Sequence, residues 1–301
     1  MKQGTPEWIE ARRSGIGGSD IAAIFGLSPW TSPLAVWHSK VSGQGARENP
    51  AMEWGKRLEG AVSARYAEAH PEFTVTGPRE MIAHPEHPIA LASADGLLLD
   101  SEDWNAVGLL EVKTTSQQWS SLPLYYDAQV QWYMGIYDLP FCDVAVLSQG
   151  RNYHEHRVEA DERWFSVALI RAEKWWQRHI VEGVEPEATA IDKGATFWPA
   201  EDESATVEVA EELAHRLASA RRRLKEAEEA KDAAEAQLKQ AMGSAARATT
   251  PEGAKVASWT TTKRMTADVK RLEVEFPNVH QEILRESSSR TFRFSFKEGA
   301  A

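Results

Sequence analysis

The sequence predicts an α/β fold for its first two thirds. Apolar residues recur at intervals of three and four from Met52 to His70, which is the spacing of one helix face. Short apolar runs typical of strands follow at Val107–Thr114 and Cys142–Ser148. Because helical patterns stand before, between and after these runs, we expect one α/β core of about 190 residues, a usual size for a domain.

Composition is that of an ordinary globular protein. Of 301 residues, 42% are hydrophobic and 26% are charged. The sequence shows no apolar run near the ~20 residues that span a bilayer and no signal-peptide core at its start, so we expect a cytoplasmic protein without a membrane segment. The single cysteine, Cys142, excludes an internal disulfide and a cysteine-ligated metal site in one chain. The net charge of −11 argues against coating nucleic acid by bulk charge, but allows a local basic groove.

Four helices are predicted before the first strand. They are expected at 7–13, 21–25, 34–40 and 52–70, with Ser19 or Asp20 as N-cap of the second and Pro33 in the first turn of the third. The Gly/Ser turn before the second helix follows Arg12 and Arg13, and fits either an ordinary capped helix or a seat for an anion. Glu59, beside the apolar stripe of the fourth helix, is either solvated or directed into a cleft.

Two strands, Thr74–Met81 and Ile89–Ala94, are predicted to flank a loop with two prolines. The loop residues His84, Glu86 and His87 suggest a metal site or a solvated turn. The prolines favour the turn.

The stretch Leu91–Lys113 concentrates the candidate chemistry. Side chains alternate along a strand, so Glu111 and Lys113 are predicted to share a face while Val112 points into the core. Asp95 arrives from the neighbouring strand. Two carboxylates and an ammonium would then meet at one sheet edge, where the carboxylates suit Mg²⁺ and the lysine suits a phosphate or an attacking water. Taken alone, the same residues also fit a surface Glu–Lys pair and a hairpin turn.

The next elements alternate between helix and strand. A helix is predicted at 124–137, with Tyr126, Gln129 and Tyr133 on one face. The strand Cys142–Ser148 is expected to pair with Tyr153–Val158, and Asp161 to cap a helix that extends to about Glu182.

The composition shifts after residue 198. Residues 199–245 carry a heptad pattern from Ala210 to Ala241 with Lys231 on the seam, which predicts a long helix that either self-associates or packs within its own chain. A linker is expected at 243–253. The tail, 246–301, is basic, with nine Lys and Arg against five Asp and Glu from Lys255 to Lys297. It is predicted to be α+β, with strands at 254–262 and 291–296 and helices at 266–275 and 279–284.

The order of these motifs resembles a known family. Glu59 on a helix, Asp95-Gly96, Glu111-Val112-Lys113 and Ala128–Gln131 on a helix are similar to the PD-(D/E)xK nuclease superfamily. They resemble more closely the YqaJ-type viral recombinases and phage lambda exonuclease, as do the runs Trp8 to Ala22 and Trp54 to Glu59. Ala94 replaces the proline of the motif's name. The similarity covers roughly residues 5–190, which resemble one nuclease domain, 1–198.

The resemblance implies a restriction-endonuclease-like core, in which helices flank a mixed central sheet. It implies that Asp95 and Glu111 hold Mg²⁺, or Mn²⁺ as its substitute, with help from the Val112 carbonyl and from Glu59. Lys113 would orient or activate the attacking water.

Further roles follow from the same resemblance. Gln129 and Tyr126 would support the substrate or the catalytic lysine. Arg12, Ser19 and Ser93 would grip a terminal 5′-phosphate, a dianion that suits an arginine fork.

The function implied is a Mg²⁺-dependent exonuclease that resects duplex DNA ends from 5′ to 3′ and supplies single strands to a single-strand annealing protein. A trimeric ring is the assembly that the resemblance suggests. Two alternatives stay open, namely an endonuclease of the same fold and a catalytically inactive DNA-binding or interaction protein.

Overall fold

The computed structural model describes residues 5–43, 50–78, 80–192, 204–265 and 269–285, together with positions 197, 202, 292 and 294. The chain divides into two compact units, Met1–Phe197 and Trp198–Ala301. Across the described residues, every helix is too short or too polar to cross a membrane.

The described part of the first unit contains six α-helices. They are α1 (Pro6–Arg13), α2 (Gly18–Ile24), α3 (Pro33–Ser42), α4 (Pro50–Ala69), α5 (Leu124–Tyr137) and α6 (Glu162–Trp176), which continues as a π-helical turn at Gln177–Val181. Ser32 accepts a hydrogen bond from the Ala35 N–H, and Asp161 accepts one from the Trp164 N–H. The predicted cap of α2 is wrong. Gly17 is the N-cap, and the Asp20 carboxylate instead accepts from the Gly17 N–H at 3.0 Å.

The central sheet is mixed, as the resemblance implies. Its strands are β1 (Phe73–Val75), β4 (Gly96–Asp100), β5 (Ala106–Thr115), β6 (Phe141–Ser148) and β7 (Asn152–Glu159), adjacent in that order. The β5–β6 pair is parallel and the other pairs are antiparallel. The parallel pair is connected through α5, which provides the crossover that parallel strands need.

The predicted strands before β5 are partly wrong. Thr74–Met81 is not one strand, because only Phe73–Val75 joins the central sheet. A separate two-stranded sheet pairs β2 (Ile82–Ala83) with β3 (Leu91–Ala92), a shorter segment than the predicted Ile89–Ala94. The pattern also left β4 undefined, although β4 is the strand that pairs with β5.

Helices cover both faces of the central sheet. Val62 and Tyr66 of α4 pack in one core with Leu98, Leu110 and Val112. On the other face, residues of α2, α5 and α6 pack in a larger core that includes Leu109, Val130, Trp132, Val144 and Ala168. Because successive side chains of β5 point to opposite faces, Leu109 and Leu110 belong to different cores. The predicted α/β class with a mixed, helix-flanked sheet is confirmed.

The second unit contains α7 (Glu211–Met242), β8 (Arg247–Thr249), β9 (Lys255–Ser258), α8 (Val269–Glu275) and α9 (Pro277–Ile283). The predicted linker 243–253 is wrong in part, because β8 lies within it and pairs with β9. Leu213 and Leu224 on the heptad seam of α7 are 55% and 60% exposed, and self-association stays a prediction. The predicted strand Thr291–Phe296 lies outside the described residues except at positions 292 and 294. The predicted boundary between the long helix, 199–245, and the tail, 246–301, stays a prediction as well.

Candidate active site

Strand β5 directs two of the predicted site residues into one cavity of about 310 Å³. The Lys113 Nζ lies 2.6 Å from the Glu111 Oε1, as expected for residues two apart on a strand. Between them, Val112 is 8% exposed and packs in the core on the opposite face. The geometry predicted for this strand is therefore the geometry observed.

Asp95 reaches the same cavity from the turn that precedes β4. Gly96 pairs with Leu110, which places Asp95 beside Glu111 of β5. The Asp95 Oδ2 accepts a hydrogen bond from the Val112 N–H at 2.8 Å. This bond fixes the carboxylate against the backbone of β5, close to Glu111.

Glu59 comes to the cavity from α4, so it is directed into a cleft and is not simply solvated. Its burial, followed by the negative charge of Asp95, raises the pKa of Glu59 to about 7. Burial and the neighbouring carboxylate of Asp95 thus both favour the protonated form of Glu59.

Helix α5 contributes an amide and two phenols. Gln129 Nε2 donates to the Glu111 Oε1 at 2.7 Å and lies 3.3 Å from the Tyr133 hydroxyl. The Lys113 Nζ lies 4.8 Å from the centre of the Tyr126 ring. The predicted face of α5 is therefore the face that meets β5. Gly18 lets α2 pack closely against α5, because a Cβ at this position would lie 2.7 Å from the Gln129 Cγ.

The electrostatics of the cavity favour an added cation. Burial, and then the charge of Asp95, raise the pKa of Glu111 to about 8, and burial also raises the pKa of Asp95. The other oxygen of Glu111, Oε2, is buried and has no hydrogen-bond partner among the described residues. Burial opposes the charge of Lys113, but Glu111 and Asp95 outweigh it and raise its pKa, so Lys113 stays an ammonium.

These donors fit a hard divalent cation. An unpartnered buried carboxylate oxygen beside a second carboxylate is the oxygen chemistry that Mg²⁺ prefers. Within the described ranges, three or more His, Cys, Asp or Glu side chains do not form a closed metal-binding group, and this includes the His84–His87 loop. The fit therefore rests on Asp95 and Glu111, and Mg²⁺ commonly completes such a pair with water and substrate phosphate oxygens.

Arg12 and Ser19 also line the cavity, and they belong to a hydrogen-bonded cluster with Asp20 and Lys40. Arg12 Nη2 donates to the Asp20 Oδ1 at 2.9 Å and to the Ser19 Oγ at 3.1 Å. The buried Lys40 Nζ donates to the Asp20 Oδ2 and to the Arg12 carbonyl oxygen, both at 2.7 Å. Burial would raise the pKa of Asp20, but Arg12 and Lys40 hold it at about 2. Arg12, Lys40 and Asp20 together carry one net positive charge.

The cavity brings together nearly every predicted site residue. Its lining includes the following predicted residues: Arg12, Ser19, Glu59, Ser93, Asp95, Glu111, Val112, Lys113 and Gln129. Tyr126 stands behind Lys113. Their chemical roles stay predictions, because proximity does not assign a role.

Sequence reasoning missed Lys40 and the ion-pairing role of Asp20. One signal was available for Lys40. It lies four residues after Val36 on α3, and both are buried, so a lysine occupies a core-facing position where lysine is rare unless paired. The partner was not readable, because Asp20 lies on another helix.

Residues 7–139 match the family model described as the YqaJ-like viral recombinase domain. The chain is similar to the uncharacterized protein YqaJ of Bacillus subtilis strain 168, with 25% identity over 97% of this chain and 94% of that protein. This similarity includes the C-terminal unit, beyond the predicted range of roughly residues 5–190.

Solved structures with similar folds include an alkaline exonuclease (LHK-Exo) from Laribacter hongkongensis, at 22% identity and a TM-score of 0.49. The match covers 59% of this chain and 94% of that one. A phage related exonuclease from Haemophilus somnus 129PT is 13% identical, with a TM-score of 0.43, and the match covers 56% of this chain and 96% of that one.

Proposed function

Because residues 7–139 of this chain match the model of the YqaJ-like viral recombinase domain, we propose that the protein is a Mg²⁺-dependent DNA exonuclease. It resects one strand of duplex DNA from its 5′ end and supplies the other strand to a single-strand annealing protein. The observation that carries this proposal is the convergence of Glu59, Asp95, Glu111 and Lys113 on one cavity that Arg12 also lines.

Asp95 and Glu111 would hold the metal ions, with Glu59 and the Val112 carbonyl as further oxygen donors. Bound Mg²⁺ supplies Lewis acidity at the scissile phosphate and lowers the pKa of a coordinated water. Mn²⁺ offers the same oxygen-directed chemistry and is the expected substitute.

Lys113 acts as a fixed cation in this scheme. Because Glu111 and Asp95 raise its pKa, the lysine is an ammonium in the metal-free cavity, and it orients or activates the attacking water and stabilises charge on the phosphate. Gln129 holds the Glu111 carboxylate through the bond to Oε1, and Tyr126 limits the movement of the lysine.

Arg12 and Ser19 bind the terminal 5′-phosphate in the proposal, with Ser93 on the same cavity. The Arg12 guanidinium is held by Asp20, so it presents a fixed hydrogen-bonding edge to a dianion. Anchoring the strand end places the first phosphodiester beside Lys113. A ring of three chains around DNA is the proposed assembly.

The test uses end-labelled linear duplexes with and without a 5′-phosphate, and closed circular duplex, in Mg²⁺ and in chelator. We expect linear DNA to shorten from its 5′ ends in Mg²⁺, faster with the phosphate, while circles stay intact. Asp95→Asn and Lys113→Ala should abolish cleavage with native circular dichroism, whereas the exposed controls Asp103→Asn and Lys174→Ala should be active.

Other results would select the alternatives. Nicked circles would identify an endonuclease of the same fold. DNA binding without any product in Mg²⁺ or Mn²⁺ would identify an inactive DNA-binding protein. Full activity of Asp95→Asn in a clean preparation would remove this cavity as the catalytic site.

A further inference from the structure

An exposed aromatic surface adjoins the candidate active site. Trp30, in the turn before α3, is 67% exposed. Its ring stands edge-on to Tyr125 of α5, with centroids 4.8 Å apart and planes at 77°. We call these two side chains the Trp30 platform. Tyr125 is partly buried, so it supports the exposed Trp30, and Trp and Tyr side chains are enriched at binding surfaces.

Ring contacts connect the Trp30 platform to Lys113, which lines the cavity. The Tyr125 ring lies 4.4 Å from the Tyr126 ring, and the Tyr126 ring lies 4.8 Å from the Lys113 Nζ. Trp119 contacts Tyr126 from the loop that follows β5, with centroids 5.2 Å apart. The aromatic surface therefore leads from solvent to the residue that would contact the scissile phosphate.

The chemistry of the surface selects its ligand. Ring faces attract flat π systems, and each nucleobase has such a face, so stacking on Trp and Tyr is strong and tolerant of sequence. Bases are available for stacking only when they are unpaired. Resection of one strand, which is the proposed function on which this inference rests, produces unpaired bases at the active site.

We propose that the Trp30 platform stacks unpaired bases of the DNA beside the catalytic cavity. Trp30 presents the open ring face, and Tyr125 fixes its orientation. The ligand class is single-stranded nucleic acid, bound through its bases in addition to its phosphates. The platform thereby holds the separated end of the duplex open next to Lys113.

The test measures binding of a short fluorescent oligothymidylate by anisotropy in chelator, where cleavage is prevented. The comparison probe is an abasic oligonucleotide of equal length, which keeps the phosphates and removes the bases. Trp30→Ala should weaken oligothymidylate binding roughly 5- to 150-fold, as expected for the loss of one stacked base. Abasic binding should not change, and Trp30→Phe should retain most of the affinity.

Trp104→Ala is the matched control, because Trp104 is 64% exposed and precedes the opposite end of β5. Native circular dichroism and an unchanged Tm establish that each variant is folded. Unchanged oligothymidylate binding by folded Trp30→Ala would overturn the proposal, as would an equal loss for both probes. A changed oligomeric state without a change in base binding would instead assign the surface to contacts between protein chains.

Cleavage of linear duplex is measured separately. If Trp30→Ala loses base-dependent binding and the wild-type protein cleaves no DNA, the platform is supported and the exonuclease is rejected. If the wild type cleaves DNA in Mg²⁺ and binds the oligothymidylate and the abasic probe equally, the exonuclease is supported and the platform is rejected.

Discussion

Gln129 donates a hydrogen bond to the Glu111 Oε1 at 2.7 Å, the same oxygen that Lys113 contacts at 2.6 Å. This contact joins α5 to β5. It occupies Oε1 of Glu111, whereas Oε2 is buried and has no partner among the described residues. The Glu111 carboxylate is therefore held by a neutral side chain on a different element together with the Lys113 ammonium.

Gln129→Ala should lower kcat about 10- to 100-fold, since a hydrogen bond to a charged group contributes about 1.5–3 kcal/mol. KM for linear duplex should change little. The control is Gln131→Ala on the same helix, because Gln131 bonds the Glu159 carbonyl oxygen and the Asp161 N–H, away from the cavity. Gln131→Ala should lower Tm with activity retained. Equal kcat for Gln129→Ala and the wild type would contradict this role.

Mg²⁺ should stabilise the protein through Asp95 and Glu111. Because an ion that binds only the folded state adds RT ln(1 + [L]/Kd), we expect about 2.7 kcal/mol of stabilisation when the ion is at about a hundred times its Kd. Thermal unfolding with increasing Mg²⁺ measures this as a rise in Tm. Glu111→Gln should abolish the rise, while Glu102→Gln at an exposed position should retain it. A wild-type Tm independent of Mg²⁺ would argue against the site.

Lys40→Met should destabilise the first unit by about 3–5 kcal/mol, because removing one partner of a buried ion pair leaves the other charge uncompensated. The Lys40 side chain is 3% exposed and that of Asp20 is 9% exposed. Chemical denaturation measures the loss, with the exposed Lys174→Met as control. Adding Asp20→Asn should recover part of it. In the folded fraction of Lys40→Met, the preference for a 5′-phosphate should fall, because the Asp20 carboxylate that holds Arg12 is then no longer fixed by Lys40. A preference equal to the wild type would reject this positioning.

Stability should fall with rising pH through His70. Its Nε2 lies 2.8 Å from the Glu155 Oε2, and its Nδ1 lies 2.9 Å from the Glu72 Oε1. Partial burial lowers the pKa of His70, but these carboxylates outweigh it, and the pKa is raised above 6.5. The contribution is therefore fully present below about pH 6.5, the usual pKa of histidine, and is lost as the pH rises through the raised value.

Denaturant unfolding at a series of pH values measures this dependence. His70→Asn should flatten the decline above the usual histidine pKa, and His280→Asn in the second unit should leave it unchanged. An unaltered pH profile in His70→Asn would show that the decline has another source.

Much of the catalytic strand was predictable because its information is local. Alternation along β5 placed Glu111 and Lys113 on one face and Val112 in the core, and the helical period of α5 placed Tyr126 and Gln129 together. The partners of the short strands were less predictable. Phe73–Val75 and Ile82–Ala83 enter different sheets, and a strand pattern does not record which partner a strand meets.

The sequence by itself determined helices α4 and α5 and strand β5, and on β5 and α5 it determined the face on which each site residue lies. Tertiary structure alone decided that Arg12 bonds to the buried pair of Asp20 and Lys40, and that Glu59 lies near Asp95. The physical reason is that periodicity fixes neighbours within one helix or strand. Contacts between elements depend on how helices and sheet pack, and for charged groups packing also decides which charge finds its partner.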